Sequence, residues 1–128
     1  GKEIGQLETP RQQLGFFDDL DMDYQILLLK ETIEEFDNAK PLFDKMLAAW
    51  REGDTKTLEK LMNDELHAAP RIAEMLLYER NRNWAEKIDD YFEDKQDYLV
   101  VVGAGHLVGD QNVIELLEAK GHSFTRAD

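Results

Sequence analysis

Apolar residues recur at spacings of three and four through most of the first 92 positions, then switch at Tyr98 to an unbroken run. The first pattern marks amphipathic helices, and the second marks a strand buried on both faces. Met22, Ile26, Leu29, Ile33 and Phe36 form the longest helical stripe. Upstream, Thr9 before Pro10 predicts a helix start, with Thr9 as cap and Pro10 at the first helical position. Leu14, Phe17 and Leu20 then line its apolar side. Pro41 is expected to kink or end the long helix, because a mid-helix proline loses a hydrogen bond and clashes one turn back. Phe43, Leu47 and Trp50 continue the stripe beyond it. Gly53 predicts a stop, and Asp54 a cap for a short helix carrying Leu58, Leu61 and Met62. Pro70 opens another helix with Ile72, Met75 and Leu76 inward, and a further one places Trp84, Ile88, Tyr91 and Phe92 on one face.

Tyr98-Leu99-Val100-Val101-Val102 reads as a strand, followed by a glycine-rich loop from Gly103 to Gly109. Asp110 or Gln111 is expected to open a helix bearing Val113, Leu116 and Leu117, closed by Gly121. Shorter strands are expected at Glu3–Glu8, with Ile4 and Leu7 inward, and at His122–Arg126. The expected fold class is therefore α/β: one domain over residues 1–128, mostly helical, with a small, incomplete, parallel or mixed sheet.

Charge narrows the partners. The 28 acidic and 15 basic side chains leave a net charge of −13. A phosphate-backbone binder needs clustered Lys and Arg, so nucleic acid is excluded, and anionic lipid is disfavoured. Between Asp18 and Asp37 stand eight acids and one base, Lys30. Such a run reads either as a solvated, self-repelling face or as a cation-attracting surface. With no cysteine there is no disulfide and no cysteine zinc site, yet the compartment stays open. No apolar run approaches the roughly 20 residues of a membrane-spanning helix. The chain opens on Gly1-Lys2-Glu3 without an initiator Met, which fits a processed or trimmed protein.

The loop Gly103-Ala104-Gly105-His106-Leu107-Val108-Gly109 is the most informative for chemistry. It follows an apolar run and precedes a helical pattern, where α/β proteins place ligands. Its glycines spell G-x-G-x-x-x-G, one residue too long for a dinucleotide fingerprint. His106 there can ligate a metal or move a proton, or serve only as a hydrogen-bonded turn residue. His67 and His122 read as surface residues, and the Met and aromatic stripes as core.

Four segments carry a resemblance. Gly5-Gln6-Leu7-Glu8-Thr9 with Gln13-Leu14, Trp50-Arg51-Glu52-Gly53-Asp54, Arg80-Asn81-Arg82-Asn83-Trp84-Ala85 and Gly103 to Gly109 occur in that order along the chain. They resemble the Gly-x-Leu-Glu-Thr…Gln-Leu, Trp-x-x-Gly-Asp, Arg-Asn-x-x-Trp-Ala and Gly-x-Gly-His-Leu-x-Gly elements of the TraB/GumN family. That family is associated with metal-dependent hydrolysis, and its animal relatives, the TIKI proteins, are described as Mn²⁺- or Co²⁺-dependent peptidases. By this resemblance His106 is a metal ligand, Glu8 a ligand or general base, and Arg80 and Asn81 position a peptide substrate or an oxyanion. It also implies an extracytoplasmic or cell-envelope setting.

Family members carry two Gly-x-x-His motifs, and only the second is present here. The chain is thus expected to be the C-terminal portion of a longer protein, inactive by itself, that self-associates through an uncovered sheet edge or pairs with an N-terminal half. Glu8 and His106 are expected to meet at one end of the sheet, with His106 partly accessible beside a helix start. A rival reading is a non-catalytic interaction or regulatory module that keeps the family fold. Convergence of Glu8, Arg80, Asn81 and His106 discriminates the two.

Overall fold

A computed structural model of the chain describes residues 1–68 and 70–127, apart from the side chains of residues 63–69. The expectation for His67 lies outside the described side chains. Two compact units divide the chain, Gly1–Ala48 and Ala49–Asp128.

In the first unit, α1 (Pro10–Asp18) begins as its sequence dictates. The Thr9 backbone N–H donates to Gln12 Oε1 at 2.7 Å, and Gln12 N–H donates back to Thr9 Oγ1 at 3.2 Å, a reciprocal capping box. Asp21 caps α2 (Met22–Glu34) by accepting from the Tyr24 N–H. The chain then breaks at Glu35, and α3 (Phe36–Glu52) runs straight through Pro41. The expected interruption therefore falls six residues earlier than the proline, which is accommodated inside the helix.

The α2 stripe faces the opposite way from the expected one. Met22, Ile26, Leu29 and Ile33 are exposed, while Tyr24 and Leu28 on another side are half-buried. Leu14 and Phe17 of α1 are exposed as well, and only Leu20 of that group is buried.

The second unit holds most of the buried apolar residues. Gly53, at φ +66°, stops α3 in a left-handed conformation that costs glycine nothing. Asp54 then caps α4 (Thr55–Ala68), accepting from the Thr57 N–H at 3.0 Å and its hydroxyl at 2.6 Å. From Pro70 three helical pieces follow without a gap: α5 (Pro70–Ala73), a π turn (Glu74–Tyr78) and α6 (Glu79–Phe92). In the π turn the Glu79 N–H donates to the Glu74 carbonyl, five residues back. One face of this run buries Ala73, Leu77, Asn81, Trp84, Ala85 and Ile88. Against α6 packs α7 (Val113–Ala119), which Asn112 caps and whose Val113 and Leu117 are buried. Side chains of this size contribute about 1.5–3 kcal/mol each when fully buried. Gly121 closes α7 as expected.

The α/β expectation does not hold: the fold is helical, with no strand among the described residues. Glu3–Glu8, Tyr98–Val102 and His122–Arg126 lie outside any helix or sheet. A strand exists only by pairing its backbone with a neighbour, and β-propensity measures fit to a half-buried pleated surface. No such surface forms among the described residues, and Leu99 and Val101 are 90% and 81% exposed. Among the described residues there is therefore no sheet end at which Glu8 and His106 could meet.

What holds the segments around α6 in place is side-chain contact. Tyr98 stacks on Tyr91 at 4.4 Å between ring centroids, and Phe92 stacks on His122 at 3.9 Å. His122 Nε2 lies 2.6 Å from Asp89 Oδ1, and Lys120 Nζ bridges Asp89 and Glu86 at 3.0 and 2.9 Å. His122, read from sequence as a surface residue, is thus half-covered and fastens the C-terminal segment to α6.

Candidate functional site

Arg80, Asn81 and Trp84 rise from the start of α6, immediately after the π turn, a helix irregularity that often accompanies functional sites. The loop after Val102 brings His106 to them. Gly103 leads into a 3₁₀ turn (Ala104–His106), in which the His106 N–H donates to the Gly103 carbonyl at 2.9 Å. Gly105 lies where a Cβ would run into the Met62 side chain, so a glycine lets the loop close on α4. His106 ends the turn and is 8% exposed, seven residues before α7 begins. It sits neither at a helix start nor in the open, contrary to expectation. Burial follows from the Trp84 ring, whose centroid is 4.3 Å from that of His106.

A chain of hydrogen bonds sets the state of this histidine. Asn81 Nδ2 donates to the Gln111 carbonyl at 2.8 Å, and a carbonyl can only accept. The Asn81 amide is thereby oriented, and its Oδ1 is the atom 2.6 Å from His106 Nδ1. An amide oxygen also only accepts, so His106 Nδ1 must carry a proton and donate it. In the neutral imidazole the lone pair then resides on Nε2.

Gln111, the origin of this relay, stands at φ +53°, a left-handed conformation rare for a residue with a side chain. Three bonds hold it there: its carbonyl to Asn81, its N–H to Glu115 Oε2 at 2.8 Å, and its Oε1 to Arg82 Nη1 at 3.2 Å. Arg82 is in turn paired with Glu74 of the π turn. Sequence reasoning named Asp110 or Gln111 only as the opening of the last helix, a place that Asn112 takes, and missed the role of Gln111 because the group involved is a backbone carbonyl that any residue carries.

Arg80 lies over the Trp84 ring, its guanidinium carbon 4.9 Å from the centroid, and donates to the Leu76 carbonyl at 2.9 Å. The Trp84 Nε1–H is buried and meets no acceptor among the described residues. Of the four expected site residues, Asn81 and His106 are thus brought into contact, and Arg80 is linked to them through the Trp84 ring. Glu8 belongs to the first unit, where its carboxylate accepts from Gln13 Nε2 at 2.8 Å, tying together two residues of one motif.

An open groove of about 420 Å³ runs along the outer side of the loop, lined by Leu107–Asp110, Asn112 and Glu115 with Thr55 and Glu59 of α4. A much smaller cavity of about 10 Å³ touches Asn81 and Gly105, room for one water at most.

Two of the four motifs noted in the sequence therefore converge on His106. The sequence profile of the TraB/PrgY/gumN family matches residues 1–126. The chain belongs to this family. A relative from the sponge Amphimedon queenslandica, named a metalloprotease TIKI homolog, is 35% identical over 57 residues. That match covers 43% of this chain and 11% of the sponge protein. No solved structure matches the chain.

The family resemblance implies a divalent metal, and the donor set can be weighed against it. With its proton on Nδ1, a neutral His106 carries one ring nitrogen with a lone pair, Nε2. A catalytic divalent site takes about three protein ligands. Among the described residues no group of three His, Asp or Glu gathers that could hold an ion. The described residues therefore do not make a whole shell.

Proposed function

We propose that this chain carries the histidine of a metal-dependent hydrolase of the peptidase type, with His106 Nε2 as the working atom. The observation that supports this most is the Asn81–His106 bond, which leaves the lone pair on Nε2 by fixing the proton on Nδ1. Ligand histidines are commonly held in this way, by an acceptor on the ring nitrogen away from the metal. The name of the sponge relative supports the reaction class.

Within this proposal Asn81 is a positioning residue. Its Oδ1 serves His106 and its Nδ2 serves Gln111, so it acts through the histidine and does not hold an oxyanion. Arg80, which lies over the Trp84 ring, is the donor proposed to meet a peptide carbonyl oxygen. With one ligand prepared, the described residues bind Mn²⁺ or Co²⁺ weakly.

Mn²⁺ titration of the isotope-labelled chain, read on the histidine ring signals, tests this. Paramagnetic broadening of His106 ahead of His122, abolished by His106→Gln, is the expected result. Broadening confined to acidic surface residues, with His106 untouched, rules His106 out as a ligand.

A further inference from the structure

The state of His106 answers to a residue outside all four sequence motifs. The Gln111 carbonyl accepts from Asn81 Nδ2 at 2.8 Å, which leaves Oδ1 as the atom that faces His106 Nδ1. Turned end for end, the same amide would offer its NH₂ to Nδ1, and the ring proton would then belong on Nε2. The two orientations of the Asn81 amide therefore correspond to the two neutral tautomers of His106, and only one of them leaves a lone pair on Nε2.

Besides Asn81, two side chains hold Gln111 at φ +53°, and they are not equal. Arg82 Nη1 donates to Gln111 Oε1 at 3.2 Å, a bond to the end of a flexible side chain that can swing away without moving the backbone. Glu115 Oε2 accepts from the Gln111 backbone N–H at 2.8 Å. That bond is shorter, has a charged acceptor and grips the backbone itself. Glu115 also pins the residue that follows. Its own N–H donates to Asn112 Oδ1 at 3.0 Å, while Asn112 Nδ2 donates to the Gly109 carbonyl at 2.7 Å. The Gln111 carbonyl thus leaves the chain between two points fixed by the first turn of α7.

We infer that Glu115 is a positioning residue for His106: its carboxylate holds the Gln111 carbonyl toward Asn81, and through the Asn81 amide it holds the ring proton on Nδ1. The consequence for function rests on the reading of Nε2 as the working atom. A ligand at Nε2 needs the lone pair there, so apparent affinity scales with the fraction of rings that carry it.

The test reads both ring nitrogens of His106 in the uniformly ¹⁵N-labelled full chain, at a pH where the ring is neutral. Glu115 is exposed and alanine is a good helix former, so Glu115→Ala keeps the fold. It should lower the ratio of Nδ1–H to Nε2–H rings by about tenfold, the effect of losing a hydrogen bond to a charged acceptor, and draw the two nitrogen shifts together. Glu115→Gln keeps an acceptor in the same place and should stay closer to the unaltered chain than Glu115→Ala does. Leu116→Ala, at the half-covered next position of α7, should lower stability without moving the ring nitrogens. Ring nitrogens unmoved by Glu115→Ala overturn the inference. So do a Glu115→Gln variant that behaves like Glu115→Ala and a Leu116→Ala variant that shifts the ring as far. Mn²⁺ titration of the same samples judges the metal reading separately. A ring that responds to Glu115→Ala but not to Mn²⁺ supports the inference and withdraws the metal, and the reverse result overturns the inference alone.

Discussion

Asn81 Oδ1 and His106 Nδ1 lie 2.6 Å apart, joining the Arg-Asn-x-x-Trp-Ala and Gly-x-Gly-His motifs across 25 positions of sequence. The bond is buried, and each partner is committed elsewhere in the fold. Asn81 reaches back to the Gln111 carbonyl, and His106 packs on Trp84.

Removing Asn81 should therefore cost more than one hydrogen bond. Asn81→Ala removes the acceptor of the buried His106 Nδ1–H, a change that costs about 1–3 kcal/mol, and breaks the bond to the carbonyl of Gln111, an exposed residue that water can serve. Urea unfolding should show a loss of about 1–3 kcal/mol. Asn81→Asp keeps the acceptor for His106 but sets a carboxylate oxygen against the Gln111 carbonyl. A similar loss is expected from it, and an unchanged midpoint would show that the Gln111 arm contributes nothing.

Gln111 supplies a second handle on the same relay. A left-handed conformation costs a residue with a Cβ about 1–2 kcal/mol, and glycine little. Gln111→Gly keeps the carbonyl that Asn81 uses and loses only the side-chain bond to Arg82. It should be neutral or stabilising by up to about 1 kcal/mol, whereas β-branched Gln111→Val should destabilise by more than about 1 kcal/mol. Thermal melts of the two variants should move in opposite directions, or Val alone should fall.

These residues show what could be read in advance. Caps and stops were legible: Thr9, Gly53, Asp54 and Gly121 act where the sequence put them, because each works on its own few neighbours. That Asn81 and His106 belong together was implied only by the family resemblance, and their side chains do meet. The sheet was not, because the run Tyr98–Val102 reports only its own β-propensity and a strand needs a partner that sequence alone does not guarantee. The direction of the α2 stripe was hidden for a related reason. Period 3.6 says that a helix has an apolar face and is silent on what faces it. Gln111 left no signal beyond its place between a glycine-rich loop and a capping Asn112.

Acid should loosen the clasp on the C-terminal segment. The His122 hydrogen bond, then that of Lys120, holds the Asp89 carboxyl below its ordinary range. A carboxylate depressed in the folded state contributes stability above its unfolded pKa of about 4, and that contribution is lost as pH falls through the lower folded value. Lys120 is raised in turn by Glu86 and then Asp89, so its contribution persists until pH climbs past about 10.4 and is lost above it. Asp89→Asn should lower stability at neutral pH and make the acid limb of a pH-unfolding curve shallower. If both limbs superimpose on those of the unaltered chain, the clasp adds no pH-linked stability.

The protonation state of His106 is where the proposed function and the fold meet. Long-range ¹H–¹⁵N correlation spectra of the uniformly ¹⁵N-labelled chain, recorded where the ring is neutral, distinguish a protonated nitrogen from one that bears a lone pair. The Asn81–Gln111 relay predicts that His106 is a single tautomer, protonated at Nδ1 with the lone pair on Nε2, and that Asn81→Ala turns it into a mixture. A proton found on Nε2 with the lone pair on Nδ1 would contradict the relay and withdraw Nε2 as the atom this chain offers for chemistry.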